Sequence, residues 1–250
     1  MSSASYQLES FNWFIVASIS TLLSIVLFRT AVSNNAFTNY TEESITLYIV
    51  LSLVLNRIMD WYFSWSVHVA VAEGSIATVL IKPYKYQLTP LIEEIAHKVL
   101  PTIPYFLILA VFILAFNVKI SLSPLNLFYG LISLVLATIL RILITYVLSS
   151  LSFFIVRTNS VIWFYEWVSA ILSGRAFPLD ILPKVFLETL KFTPFPYTYF
   201  FTISFFIGNI PKNFNFVLFF VTQIFWIILT FFIAKFLWKK GIKKYEIVGN

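Results

Sequence analysis

Long apolar runs recur along this chain, and they restrict its fold more than any other feature. WFIVASISTLLSIVLF begins at Trp13, LPTIPYFLILAVFILAF at Leu100 and FNFVLFFVTQIFWIILTFFIAKFLW at Phe214. A helix needs about 20 apolar residues to cross a hydrocarbon layer of about 30 Å. Within that layer only helices and closed barrels satisfy their own backbone hydrogen bonds. With 60% hydrophobic and 11% charged residues, the 250-residue chain has room for six helical spans and little else. The expected fold is all-α: a single polytopic membrane domain over residues 1–250, with spans at about 13–32, 44–67, 99–117, 124–156, 160–176 and 214–238. The start of the chain lacks a basic region and a small-residue cleavage pattern, so the first run is expected to be retained as a span.

The longest polar interruption, residues 68–98, holds both histidines (His68, His97), Glu73, Glu93, Glu94, Lys82, Lys85 and Lys98. Within it, VAVAEGSIATVLI surrounds one glutamate and one glycine with small and apolar residues, and Lys82-Pro83 then stops the pattern. Ile92, Ile95 and Val99 form a second apolar stripe between Glu93, Glu94 and Lys98. A helix of this texture suits either a partner protein's cleft or the membrane interface, and the pattern alone fits both. Pro101 and Pro104 are expected in the opening turns of the third span, where a missing amide donor costs least. Between the fifth and sixth spans the prolines at 178, 183, 194, 196 and 211 predict one or two short helices on the membrane or dipping into it.

Placing both termini in the cytoplasm puts Lys82, Lys85, Lys98, Arg157 and the lysines after Phe231 inside, against Arg29, Lys119, Arg175, Lys184, Lys191 and Lys212 outside. Trp13, Trp61, Trp65, Trp163, Trp167 and Trp238 fall near the same span ends, as an interfacial belt requires. The net charge of +6 then faces anionic lipid, and no nucleic-acid partner is expected.

Four charges fall inside the runs: Arg57, Asp60, Arg141 and Glu166. Each costs about 2.5 to 3.5 kcal/mol or more if it faces lipid, so all four are expected to face protein or water. Arg57 and Asp60 are three residues apart and can pair on one helical face, with Glu166 at comparable depth as the other candidate partner. An inter-helix clasp and a polar gate both explain such charges. Catalysis is not expected. The chain has no cysteine, no GxxxxGK[ST] phosphate loop, and only two histidines, neither set beside a second ligand or a serine and carboxylate. No metal or cofactor site is expected in the chain itself.

Four segments together carry a family resemblance: EGSIATVLIKP from Glu73, SGRAFPLDILPKVFLETLKFTPFPY from Ser173, IGNI from Ile207, and WKKGIKKYEIVGN from Trp238. They resemble the membrane subunits of type-two ATP-binding-cassette (ABC) exporters, in the short six-span group whose ATPase is a separate chain. The resemblance implies a cytoplasmic coupling helix between spans two and three, with Glu73, Gly74, Ser75, Ile76, Leu80, Lys82 and Pro83 touching the ATPase. It also implies a re-entrant insert between spans five and six, carrying Gly174, Pro178, Leu179, Pro183, Pro194 and Phe195. The partners it implies are an ABC ATP-binding subunit that holds ATP and Mg, a second permease copy or a paralogue, and the lipids of a prokaryotic plasma membrane. A membrane scaffold or assembly protein with no transport cycle is the alternative.

Overall fold

The computed structural model describes residues 3–37, 39–61, 63–76, 89–118, 123–155, 157–210 and 214–248, with side chains for all of these except 3–11, 13, 89, 90, 96, 97, 100 and 245–248. Every described element is helical: α1 (Ser3–Ser33), α2 (Glu42–Met59), α3 (Phe63–Ala72), α4 (Thr89–Ala115), α5 (Pro124–Leu151), α6 (Thr158–Leu172), α7 (Lys184–Leu190), α8 (Phe200–Ile207) and α9 (Phe216–Val248). Two single 3-10 turns, Leu179–Ile181 and Phe195–Tyr197, flank α7. Large apolar side chains stay exposed along α1, α4, α5, α6 and α9, among them Leu23, Leu114, Val135, Trp167 and Val217. A surface of that extent is one that hydrocarbon covers, and the chain is a multi-pass membrane protein.

Among the described residues, three helical stretches are long and apolar enough to cross a membrane: Phe14–Ser33, Pro124–Leu151 and Phe216–Lys244. A fourth arises if α2 and α3, bent by 41° at their junction, count as one broken span. The apolar part of α4, Pro101–Ala115, and the 15-residue α6 are shorter, the latter about 22 Å at 1.5 Å per residue.

Local chemistry explains the helix boundaries. Thr41 and Ser44 form a capping box at the start of α2: the Thr41 hydroxyl accepts from the Ser44 amide at 3.1 Å and the Ser44 hydroxyl accepts from the Thr41 amide at 2.9 Å. Glu42 and Glu43 follow in the first turn, where carboxylates suit the helix dipole, and Glu42 pairs with Arg29 of α1 at 2.6 Å. Pro124 opens α5, where its missing amide is one of the unpaired donors of a helix start. Along α5 the hydroxyls of Thr138, Thr145, Ser149 and Ser150 donate to carbonyls one turn earlier, which satisfies these polar side chains inside an apolar bundle.

Several boundaries differ from the sequence expectation. The run at 44–67 is divided: α2 ends at Met59, and Asp60 is its C-cap in an extended conformation (φ −76°, ψ 128°). Pro101 and Pro104 lie inside α4, not in its opening turns, because the interfacial stretch and the third apolar run form one continuous helix. The run at 124–156 stops at Leu151 in a turn, and the basic tail continues α9 to Val248.

The main core lies where α2, α5 and α6 meet the chain between α6 and α9, with Tyr48, Met59, Leu140, Leu179, Tyr199 and Ile203 at its centre. Its far end is aromatic: Phe201, Phe205, Phe214, Phe216, Phe219 and Phe220 stack or meet edge to face with centroids 4.9 to 6.3 Å apart. Three polar links tie this region across helices. The Ser133 and Thr202 hydroxyls lie 2.8 Å apart, and the Gln223 amide donates to the carbonyls of Ser133 and Tyr197. A second, smaller core joins Val67 and Ile76 to Phe153 after α5 and Trp238 of α9.

Candidate functional site

The charges cluster where α2 breaks. Arg141, in the middle of α5 and 1% exposed, donates to Asp60 Oδ1 at 2.8 Å and to both carboxylate oxygens of Glu166 at 3.1 and 3.3 Å. Arg175 completes the group. Its guanidinium reaches Asp60 Oδ2 and Glu166 Oε2, each at 3.3 Å, and donates to Asn56 Oδ1 at 2.9 Å. Tyr199 donates to Asp60 Oδ1 at 3.1 Å, and Ser169 accepts from Arg141 at 3.4 Å. Two arginines thus meet two carboxylates, and their formal charges cancel. That balance is what lets them stay out of water, because a buried ion survives only when paired and hydrogen-bonded.

Each element contributes for a local reason. The extended Asp60 ends α2 and turns its carboxylate toward α5. Arg175 follows Gly174, whose φ of +83° lies in the left-handed region. A Cβ at Gly174 would sit 2.8 Å from Phe200 Cβ and 2.8 Å from Tyr48 Oη, so only glycine allows both the turn and the close approach. The Tyr48 hydroxyl donates to the Gly174 carbonyl at 2.6 Å, which fixes this turn against α2. Asp60, Arg141 and Glu166 also line a cavity of about 50 Å3 with Trp61, Ser64, Trp65 and Trp163.

Asp60, Arg141 and Glu166 are therefore brought together as interior charges, but the expected partner of Asp60 is replaced. Arg57 lies over the Tyr105 ring at 5.7 Å and makes no ion pair among the described residues. The three-residue spacing on one helical face does not bring Arg57 and Asp60 together, because α2 stops at Met59 and the Asp60 backbone turns away. Arg175, expected in an outer loop, is the residue the sequence reading missed. The available signal was a lone arginine directly after an apolar run and a glycine.

Two further charges, from the polar stretch at 68–98, are engaged at the same break. Glu94 accepts from the Phe63 amide at 2.9 Å, at the start of α3. Lys98 donates to the carbonyls of Ile58 (3.3 Å) and Asp60, with its ammonium 3.9 Å from the centre of the Trp61 ring. Trp61 is thus occupied inside the protein, as is Trp238, which is packed edge to face on Phe153.

The segment after α3 is described as far as Ile76; Leu80, Lys82 and Pro83 lie outside the described residues. Glu73, Gly74 and Ser75 are exposed, whereas Ile76 is fully buried in the second core. Gly74 has φ +75°, so its glycine serves the turn that ends α3.

The chain between α6 and α9 folds as a hairpin against α2 and α5. Pro178 is the N-cap of the turn that buries Leu179, and Pro183 is the N-cap of α7. Asp180 accepts from Tyr40 at 2.8 Å and from Asn209 at 3.4 Å, which ties the hairpin's outer parts to the entrance of α2. Burial raises the Asp180 carboxyl above the ordinary range, and it raises the Tyr40 phenol as well, with the Asp180 charge adding to that. Pro194 precedes the turn that holds Phe195 6.1 Å from Tyr165 of α6, and Tyr199 then reaches Asp60. The hairpin tip is thereby placed at the charge cluster.

No curated protein and no solved structure matches the chain significantly. A family model described as ABC-2 family transporter protein matches residues 14–249, almost the whole chain. The chain belongs to that family and is a type-two ABC permease subunit, a membrane transport protein.

Proposed function

We propose that the chain is the permease of an ATP-driven exporter. It pairs with a second copy or a paralogue to form the substrate pathway, and a separate ATP-binding subunit carrying ATP and Mg docks on residues 73–83. In this reading six segments cross a prokaryotic plasma membrane with both termini in the cytoplasm. The hairpin after α6 enters from the outer side and returns, with Gly174, Pro178, Leu179, Pro183, Pro194 and Phe195 shaping it. α6 then needs to reach only part of the way, because the hairpin tip meets it at depth.

The observation that carries the proposal is the arrangement around Ile76. Its neighbours Glu73 and Ser75 are exposed at the surface, while Ile76 packs with Val67, Phe153 and Trp238. Force applied at this tip passes directly to the ends of α3, α5 and α9. Gly241 of α9 reinforces the junction, since a Cβ there would lie 2.5 Å from the Phe153 ring and the two elements are already in close contact. ATP can drive the cycle only if the ATPase binds two permease states with different affinity. The charge cluster offers two such states, because two arginines and two carboxylates can exchange partners while remaining neutral.

Glu73→Lys and Ser75→Trp test the docking assignment in the full complex. Gly74 is left intact because its left-handed backbone would confound the result. Both variants are expected to insert and pair normally, yet to lose the co-purifying ATPase and permease-dependent ATP hydrolysis. Unchanged binding and turnover in both would overturn the assignment.

A further inference from the structure

We propose that Glu94 and Lys98 are positioning residues that latch the break between α2 and α3, so that displacement of α4 opens the break and releases Asp60 toward a changed charge cluster. This rests on the permease reading for its purpose but not for its geometry. A helix end leaves up to four carbonyls, and a helix start up to four amides, without intrahelical partners. At the break both kinds of end lie side by side. One face of α4 satisfies both: Glu94 Oε2 takes the Phe63 amide at 2.9 Å, and Lys98 Nζ donates to the carbonyls of Ile58 and Asp60. The two side chains are one helical turn apart and 3.9 Å from each other, with side-chain exposures of 14% and 11%. Because they share one rigid face, a shift of α4 along its axis withdraws both caps together.

Two further features make α4 suited to this. It begins at Thr89, six residues after the end of the proposed docking segment, so Glu94 and Lys98 occupy its second and third turns. Just past the latch, Pro101 and Pro104 lack the amides that would bond to the carbonyls of residues 97 and 100. The cytoplasmic end of α4 can therefore bend while its apolar remainder stays packed. The same Asp60 whose carbonyl Lys98 holds presents its carboxylate to Arg141, Arg175 and Tyr199. Opening the break moves that carboxylate and asks the two arginines to share Glu166.

The chain has no cysteine, so one thiol reports on the break alone. Ser64, 3% exposed in the first turn of α3, lines the small cavity beside Asp60 and Trp61. The measurement is the rate at which N-ethylmaleimide alkylates a Ser64→Cys variant of the full chain in detergent, without any ATPase. Adding Lys98→Met or Glu94→Gln is expected to raise the rate about tenfold or more, as loss of a charge-assisted bond does to a local opening equilibrium. Lys98→Arg should return the rate close to that of the parent. A Ser133→Cys control, buried between α5 and α8, should be unaffected by all three. If both Lys98→Met and Glu94→Gln leave the Ser64→Cys rate unchanged, or accelerate Ser133→Cys equally, the latch is overturned. Because no ATPase is present, that failure would leave the docking proposal at Glu73 and Ser75 standing, and failure of the docking variants would leave the latch standing.

Discussion

The charge cluster makes a quantitative demand that separates it from Arg57. Arg141→Gln removes one of two cations and leaves Asp60 and Glu166 with Arg175 alone, a net negative charge in a site where Arg141 is 1% and Asp60 6% exposed. Removing one partner of a buried pair typically costs about 3 to 5 kcal/mol. Coulomb's law agrees in size: unit charges about 4 Å apart at an effective dielectric constant of about 20 interact by about 4 kcal/mol. Asp60→Asn leaves a net positive charge and should be similarly costly. Combining the two restores neutrality, because Glu166 and Arg175 remain paired at 3.3 Å. The double variant should therefore be more stable than the sum of the single losses by about 2 to 4 kcal/mol. Arg57→Ala loses only a partly exposed guanidinium over Tyr105 and should cost no more than about 1 kcal/mol. The assay is reversible unfolding in mixed micelles with increasing dodecyl sulfate, read by tryptophan fluorescence, across the double-mutant cycle. A coupling below about 0.5 kcal/mol between positions 60 and 141, or a loss at Arg57 equal to that at Arg141, would refute the assignment.

Gly174→Ala should be among the most damaging small substitutions, at about 2 to 4 kcal/mol, since it combines a left-handed backbone with a clash against Phe200 and Tyr48; a thermal-stability scan in detergent that finds it neutral would show that the turn is not built as described. At Asp180 burial raises the carboxyl, so the folded state binds a proton more readily than the unfolded chain does, and this group's contribution to stability declines as pH rises from the ordinary carboxylate range through its raised value. Asp180→Asn should flatten the stability profile over that window, and an unchanged slope would contradict the burial effect.

Much of this was legible in the chain because apolar length and interior charge are strong signals. The long runs at 13–32, 124–156 and 214–238 overlap the helical stretches Phe14–Ser33, Pro124–Leu151 and Phe216–Lys244 that are able to cross a membrane, and Asp60, Arg141 and Glu166 pair with one another inside the protein. What the sequence could not supply was the pairing. Helical spacing names neighbours on one helix, and it offered Arg57 to Asp60; the backbone turn at Asp60 cancels that relation. Arg175 reaches the cluster only because Gly174 adopts a conformation that no periodicity encodes. Glu94 and Lys98 look like solvated flanks when read along α4, and become caps only when the break between α2 and α3 is known. The segment 44–67 looked continuous for the same reason: its apolar content hides a break whose free backbone groups are satisfied from another helix. The turn at Gly74 is a related case, since its positive φ is a backbone feature that no periodicity encodes.

If the tip after α3 meets a nucleotide-binding chain, site-specific photo-crosslinking in native membranes will capture that contact. A Ser75→Cys chain carrying a benzophenone on its single thiol would be irradiated, and the adduct probed with a photoreactive ATP analogue. Lys184→Cys, at the start of α7, would be treated in parallel. An ATP-labelled adduct is expected from position 75 and none from position 184. An ATP-labelled adduct from position 184, or none from position 75 while the ATPase still co-purifies, would contradict it.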